Sequence, residues 1–309
     1  MRTLNKMKSK SIIFMGTPDF AVCSLDKIMK SKILIKGVIT APDRNSGRGR
    51  KINKSPVKEY AIKNKIPIFQ PTNLKDENFQ KEIKKLKADL FVVVAFRMLP
   101  ESLINIPKLG SINLHASYLP NYRGAAPINW VIINGEKETG ITVFFLNKNI
   151  DEGDIIDQKK IKINKYEKAG ELHDRLMEEG SNLLMETIID IFKNRHKNKK
   201  QKINSNDKKA PKITKNICLL SKNEKAEKII NKIHGLSPYP GAFIHHKNKS
   251  FKIFGARPHK FVNNISSFFI YDKKILYNNT MRETIEITEI QAEGKKRMNS
   301  SEFIKGNKI

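Results

Sequence analysis

Hydrophobic and polar positions along the first two thirds of the chain alternate between short apolar runs and segments with helical spacing. Runs such as SIIFMG at 11–16 and DLFVVVAF at 89–96 are apolar almost without interruption, which is typical of strands buried on both faces of a sheet. Further along, apolar side chains recur at multiples of four, as one face of a long helix requires: Leu172, Leu176, Leu184, Ile188 and Phe192. This order of strands and helices predicts a parallel-sheet, Rossmann-like α/β domain. Further strands are predicted at 35–42, 111–117 and 141–146, and helices at 20–29, 57–63, 79–86 and 127–133.

The last third of the chain has a different pattern. Residues 194–212 read NRHKNKKQKINSNDKKAPK, a polar and basic stretch that could not bury a core. We predict that this stretch is a linker, so that residues 1–193 and 213–309 form separate domains. One helix from about Glu224 to Ile233 precedes several short β-rich runs, among them SFKIFGA and TIEITEI. A small β-barrel is the natural way to close so many short strands.

The composition is that of a chain able to bury two cores and lacking a membrane segment. It has 309 residues, of which 39% are hydrophobic, and no run approaches the ~18 apolar residues that a membrane helix needs. The basic start lacks the features of a signal peptide, so a cytoplasmic location is expected. Cys23 and Cys218 lie far apart and make no metal-ligand or redox spacing. We expect no metal and no membrane partner.

The charge is unusual, because 59 Lys and Arg residues against 31 Asp and Glu residues give a formal charge of +28. A polyanionic partner such as RNA is one interpretation, since phosphate neutralisation supplies affinity independent of sequence. The other is a general abundance of lysine on solvated surfaces, to which we ascribe about half of the excess. Charge alone does not establish RNA binding.

Candidate chemistry lies around the strand GSINLHAS. Alternation along it places Asn113 and His115 on one face, at the strand's carboxyl end. Open α/β sheets bind ligands at that end, although an isolated Asn-x-His is more often a partly buried histidine satisfied by a neighbour. Downstream, DEGD offers Asp151, with Asp154 an equal candidate by composition.

The surrounding motifs resemble those of the folate-dependent formyltransferases. The resemblance covers nearly the whole chain and is carried by the following segments: NLHASYLP at 113–120, RGAAPI at 123–128, ETGIT at 138–142, DEGD at 151–154, FMGTPDFAV at 14–22, SGRGRK at 46–51 and QAEGKKRM at 291–298. It implies a Rossmann-like catalytic domain followed by an OB-like domain that helps to hold tRNA. It also implies transfer of a formyl group from the co-substrate 10-formyltetrahydrofolate to the α-amine of methionyl-initiator-tRNA. We expect the protein to be a monomer.

The resemblance assigns three catalytic roles. Asn113 would donate its side-chain NH2 to the developing oxyanion. His115, when protonated, would share that oxygen or protonate the leaving nitrogen. Asp151 would favour the imidazolium and take the proton of the attacking amine through a water molecule. No covalent enzyme intermediate is needed.

The resemblance also implies binding residues. The folate pocket would draw on two segments, with these residues: Ser117, Tyr118, Leu119, Pro120, Ala95, Arg97 and Leu99. Tyr118 and Arg97 depart from the family pattern, and we favour a solvated surface position for Arg97 over a contact with a folate glutamate. In the basic loop at 43–54, Arg48 would probe the acceptor end of the tRNA, with Arg44, Arg50 and Lys51 on phosphates. A flexible, solvated connection is the simpler interpretation of that loop. His234 stands where the resemblance leads us to expect an arginine.

Two alternatives stay open. A formyltransferase for a small amine, such as a glycinamide ribonucleotide or an amino-sugar nucleotide, would keep the three catalytic residues without needing the basic loop or the barrel. A noncatalytic RNA-binding protein would explain the charge alone.

Gly16 follows the first predicted strand, where a dinucleotide-binding motif could begin, but the full Gly-x-Gly-x-x-Gly pattern is absent. A tight strand-to-helix turn is therefore the better interpretation of this glycine, and no dinucleotide cofactor is expected.

Overall fold

The computed structural model describes residues 10–46, 51–307 and 309. Its strands, in chain order, are β1 Ser11–Gly16, β2 Leu34–Ile39, β3 Arg44–Ser46, β4 Lys51–Asn53, β5 Ile68–Phe69, β6 Leu90–Val94, β7 Ser111–His115, β8 Arg123–Gly124, β9 Glu138–Phe145, β10 Ile155–Lys162, β11 Lys209–Ala210, β12 Ala242–His246, β13 Lys249–His259, β14 Phe268–Tyr271, β15 Lys274–Asn278, β16 Thr284–Ala292 and β17 Met298–Asn299. Its helices are α1 Asp19–Lys30, α2 Pro56–Lys63, α3 Glu77–Lys85, α4 Glu101–Ile104, α5 Pro127–Ile133, α6 Ala169–Phe192, α7 Lys215–Cys218, α8 Ala226–Gly235 and α9 Ser300–Gly306.

The described residues fall into two compact units. The first comprises the described residues up to 123 together with 140–161 and 174–208, and the second comprises 124–139, 162–173 and the described residues from 209 onward. The first unit is built on a seven-stranded sheet in the order β10-β9-β7-β6-β1-β2-β5. The five strands β5, β2, β1, β6 and β7 run parallel to one another, and β9 runs antiparallel to β7. The predicted parallel α/β sheet is therefore confirmed, with an antiparallel extension on one side.

The strands in the middle of this sheet are buried on both faces, as their apolar runs predict. All six residues of β1 and all five of β6 are buried. One core cluster combines residues of β1, β2, β6 and the segment after β6 with side chains from α3 and α4: Ile13, Met15, Ile39, Ile83, Phe91, Val93, Leu99, Leu103 and Ile104 are among its members. Because β6 and β7 pair in parallel, their carboxyl ends lie at the same edge of the sheet.

Gly16 ends β1 where the chain turns into α1. A Cβ atom at this position would lie 2.5 Å from the Ala21 Cβ and 2.9 Å from the Val94 carbonyl oxygen. Close approach of helix and strand therefore explains the glycine, in agreement with a tight turn. The helix itself begins at Asp19, with Pro18 as its N-cap and no capping side-chain hydrogen bond.

The second unit contains an antiparallel sheet in the order β12-β13-β16-β15-β14, with β17 paired to β16. The register of β13 against β16 shifts on both sides of Gly255. Such bulges bend and twist a sheet, and this sheet curls over its own core as an OB-like half-barrel. The core is formed mainly by aliphatic and aromatic side chains of the strands and α8: Ile229, Ile230, Ile233, Phe251, Ile253, Phe268, Ile275, Ile285, Ile287 and Phe303 are among them.

His234 of α8 is buried in this second unit, with only 4% of its surface exposed. The Ala256 backbone N–H lies 3.3 Å from Nε2 and donates to it, which requires an unprotonated nitrogen. Burial, reinforced by the positive charge of Lys168, lowers the pKa of His234 from 6.5 to about 4. The histidine that replaces the expected arginine is therefore a neutral group of the fold.

This shift predicts a loss of stability in acid. The unfolded chain takes up a proton at His234 as the pH falls through 6.5, whereas the folded chain does so only near pH 4. Stability is thus complete above pH 6.5 and falls by about 2 kcal/mol by pH 5. The measurement is the free energy of unfolding in urea at pH 7 and at pH 5, for the natural chain and for His234→Leu. Equal pH dependence in both proteins would contradict the assignment.

Candidate active site

His115 lies at the end of β7, and both of its ring nitrogens face oxygen atoms. Its Nε2 is 2.9 Å from the Tyr122 carbonyl oxygen, and its Nδ1 is 3.8 Å from Asp151 Oδ2. Because a carbonyl oxygen can only accept, Nε2 carries a hydrogen and donates it. This leaves Nδ1 as the ring nitrogen that faces the Asp151 carboxylate. A proton gained there lies next to a carboxylate, at a separation that suits an ion pair better than a direct hydrogen bond.

Asn113 precedes His115 by two residues and lies on the same face of β7. Ile112 and Leu114 are buried on the other face, with 0% and 3% exposure, while Asn113 is half-buried. In the sheet, Asn113 is in register with Val93 of β6 and Phe144 of β9. Neighbouring strands on both sides therefore fix the backbone that carries the carboxamide.

Asp151 belongs to the acid loop, residues 147–154, which connects β9 to β10. Its backbone has φ +55°, a left-handed conformation that aspartate tolerates better than most residues. Two residues on, a Cβ at Gly153 would lie 1.6 Å from the Phe145 carbonyl oxygen, so only glycine fits. Asp154 uses its backbone oxygen, which accepts from the Phe145 N–H at 2.9 Å. Of the two candidate acids, the structure thus brings Asp151 to His115.

The loop after β7 is held by hydrogen bonds within the first unit. Ser117 Oγ donates to the Asn121 carbonyl oxygen at 2.7 Å, and Thr142 Oγ1 donates to the Ser117 carbonyl oxygen at 2.8 Å. Leu119 is 1% exposed, and its carbonyl oxygen accepts from Gln158 Nε2 at 2.9 Å. Ser117 and Leu119 therefore contribute to the shape of the loop.

Tyr118 of the same loop points to the edge of the sheet. It is 37% exposed, and Lys160 Nζ lies 5.3 Å from its ring centroid. A Cβ at Gly140 would lie 2.9 Å from the tyrosine ring, so the glycine makes room for this aromatic side chain. Pro120, which follows Leu119, is half-buried.

The second predicted wall of the folate pocket follows β6. Ala95 is exposed and has φ +47°, whereas Leu99 is 5% exposed and belongs to the core. Arg97 Nη1 donates to the Thr72 carbonyl oxygen at 2.9 Å, and Nη2 donates to that of Pro71. Burial and the nearby charge of Arg44 lower the pKa of Arg97. The guanidinium thus ties the segment after β5 to the end of β6.

The base of the basic loop is anchored by Asp43. Its carboxylate pairs with Lys58 at 2.5 Å and accepts from Gln70 at 2.9 Å, and these two hydrogen bonds lower the pKa of Asp43. Arg44 is exposed. Arg48 and Arg50 lie outside the described residues, and of Lys51 only the backbone is described.

Three groups near His115 and Asp151 were not predicted as site residues. Tyr122 contributes its carbonyl oxygen. Arg123, only 9% exposed, pairs with Glu152 of the acid loop at 2.9 Å. Gln201 donates to carbonyl oxygens of that same loop. A backbone acceptor leaves no signal in a sequence, and the partners of Arg123 and Gln201 lie too far away along the chain to be read from spacing.

Within the described residues, no helix is both long and apolar enough to cross a bilayer. No group of three or more His, Cys, Asp or Glu side chains in the same residues has an arrangement that could hold a metal ion.

Comparisons with known proteins agree with the motifs. The family model described as formyl transferase matches residues 9–188, and the one described as formyl transferase, C-terminal domain, matches residues 212–308. The methionyl-tRNA formyltransferase of Flavobacterium johnsoniae is 46% identical over 308 residues, covering 97% of this chain and 97% of that protein. That of Bacteroides fragilis (strain YCH46) is 41% identical over 311 residues, covering 97% and 96%.

A solved structure shares the fold. The N-formyltransferase from Helicobacter canadensis, in complex with folinic acid and dTDP-3-aminofucose, has a TM-score of 0.68 at 23% identity and covers 92% of this chain and 99% of that chain. Such low identity supports the fold alone. The two family models and the long alignments cover nearly the whole chain, and they show that it belongs to the methionyl-tRNA formyltransferase family of folate-dependent formyltransferases.

Proposed function

We propose that this protein transfers the formyl group of 10-formyltetrahydrofolate to the α-amine of methionyl-initiator-tRNA, giving N-formylmethionyl-tRNA for translation initiation. The observation that carries the proposal is the position of His115 between the Tyr122 carbonyl oxygen and the Asp151 carboxylate, at the carboxyl end of a central strand. The reaction needs a donor for an oxyanion and groups that move two protons. Asn113, His115 and Asp151 supply both functions.

The first step forms a C–N bond. The lone pair of the amine attacks the formyl carbon, and the C=O electron pair moves to the oxygen. Asn113 donates its NH2 hydrogen to this oxyanion, where a preorganised donor contributes about 3 kcal/mol in a site that excludes water. Asp151 accepts the surplus proton of the attacking amine, through a water molecule where the distance requires one.

The second step breaks the bond between the formyl carbon and N10 of the folate. The C=O bond re-forms, and the electron pair of the broken bond returns to N10. His115 delivers a proton to this nitrogen from Nδ1, since Nε2 is engaged with the Tyr122 carbonyl oxygen. The proton held on Asp151 can then restore His115, because the two groups are 3.8 Å apart.

Binding residues follow from the same proposal. We assign the folate pocket to backbone groups of the loop 117–120 and of the segment 95–99, because a flat pterin presents its donors and acceptors in one plane. The exposed Arg44, together with Arg48, Arg50 and Lys51, would contact the acceptor end of the tRNA. The second unit would add tRNA affinity. With a charged tRNA as acceptor, we expect the reaction to take place in the cytoplasm. The monomeric state and the domain boundaries at 193 and 213 stay predictions.

A transfer assay tests the function directly. Labelled formyl from 10-formyltetrahydrofolate is offered with charged initiator tRNA, charged elongator methionine tRNA, glycinamide ribonucleotide or an amino-sugar nucleotide. We expect label on the initiator tRNA and little on the elongator. If only a small amine were labelled, that amine and not the tRNA would be the acceptor. If no acceptor were labelled while tRNA still bound, the noncatalytic RNA-binding alternative would be favoured.

A further inference from the structure

Residues 199–208, here named the strap, lie along the loops that hold the partners of His115. At the start of the strap, Lys199 exchanges two backbone hydrogen bonds with Ile155, both 2.8 Å long, directly after the acid loop. At its end, the Lys208 carbonyl oxygen accepts from the Tyr122 N–H at 2.5 Å. The strap therefore connects the residue whose carbonyl oxygen holds His115 to the strand that follows Asp151.

Gln201 of the strap fixes the acid loop itself. Its Nε2 donates to the Asp151 carbonyl oxygen at 2.9 Å and to the Gly153 carbonyl oxygen at 2.8 Å. Both partners can only accept, so the orientation of the carboxamide is determined by the geometry and both of its N–H groups are used. The bond to the Asp151 carbonyl oxygen fixes the peptide plane next to a residue held at φ +55°.

A second connection between strap and loop is ionic. Arg123, with a side chain 9% exposed, lies 2.9 Å from Glu152 and 3.6 Å from Asp207 of the strap. Glu152 is the residue between Asp151 and Gly153. Gln201 therefore holds the backbone of Asp151 and Gly153, and Arg123 holds the side chain of Glu152 between them. Gly153 also packs against the Phe145 backbone.

We propose that Gln201 is a positioning residue, which holds the acid loop so that the Asp151 carboxylate faces His115 Nδ1. The inference rests on the proposed function. Without Gln201, the Asp151 carbonyl oxygen loses a hydrogen bond that helps to hold this residue in its left-handed backbone conformation, which is unfavourable for residues other than glycine. Relaxation of that backbone swings the carboxylate away from Nδ1. A displacement of 1 Å at a reacting group can lower a rate about 100-fold.

The test compares Gln201→Leu with Ser205→Ala, an exposed and uncharged position of the same strap. For Gln201→Leu we expect kcat to fall on the order of 10- to 100-fold, with KM for folate and for tRNA unchanged, because only the acid is misplaced. Ser205→Ala should match the natural chain. Thermal unfolding of each variant shows whether the protein is folded at the assay temperature.

Two further measurements separate positioning from general support of the fold. In a double-mutant cycle, Gln201→Leu should cost little when added to Asp151→Asn, because the carboxylate it positions is already gone. Gln201→Glu should give a pH-dependent defect. As a carboxylate it repels the two carbonyl oxygens, whereas its protonated form can donate to one of them, so kcat relative to the natural chain should rise as the pH falls.

The outcomes are distinguishable. An active natural chain, an inactive Asp151→Asn variant and an unaffected Gln201→Leu variant would overturn the inference and leave the proposed function intact. Additive losses in the double-mutant cycle, or a Gln201→Glu defect independent of pH, would also overturn it. Inactivity of the natural chain with every acceptor would instead contradict the proposed function.

Discussion

Asp151→Asn is expected to lower kcat for formyl transfer by roughly 10²- to 10⁴-fold, the range for loss of a general base. The substitution keeps the shape of the side chain, but the amide cannot take the proton of the attacking amine or balance a proton on His115 Nδ1, 3.8 Å away. KM for both substrates should change little, since binding in the ground state does not use that proton. Initial rates with charged initiator tRNA measure the effect.

The same loop provides a matched control. Asp154 is also a half-buried aspartate, but it contacts Phe145 through a backbone hydrogen bond, which Asp154→Asn preserves. This variant should therefore stay close to the natural rate. If both substitutions lowered kcat equally, the loss would reflect loop conformation and the catalytic assignment of Asp151 would fail.

Asn113→Ala should reduce kcat by about 10²- to 10³-fold, the cost of removing one donor from an oxyanion hole. The reason is that the carboxamide acts only once negative charge develops on the formyl oxygen. Substrate binding should again be nearly unchanged. The measurement is a comparison of kcat and KM at saturating 10-formyltetrahydrofolate.

Ser111→Ala serves as its control on the same face of β7. Ser111 is 1% exposed, and its Oγ donates to the Ile104 carbonyl oxygen at 2.7 Å, far from the strand's carboxyl end. Loss of this hydrogen bond should lower the free energy of unfolding by about 1 kcal/mol and leave kcat unchanged. If Asn113→Ala kept full activity, Asn113 would not be the oxyanion donor, and another group would have to stabilise the oxyanion.

Much of the fold could be predicted from local pattern. The runs that became β1 and β6 are apolar enough that only a strand covered on both sides suits them, and the helix at 127–133 was predicted with the bounds that the structure has. The apolar spacing of α6 likewise indicated one buried face. Helix boundaries were less accurate, since the helix predicted over 20–29 begins at Asp19, with Pro18 as its N-cap, and ends at Lys30.

The sequence by itself determined the α/β order of the first unit, the β-rich second unit and the candidate set Asn113, His115 and Asp151, because periodicity and motif are local. Only the tertiary structure decided that Nδ1 of His115 faces the Asp151 carboxylate, since Nε2 is hydrogen-bonded to the Tyr122 carbonyl oxygen. It alone showed that Gln201, in a stretch too polar to bury a core, is bonded to the acid loop. Such contacts join residues distant in sequence through backbone atoms, which every residue carries and no composition reveals.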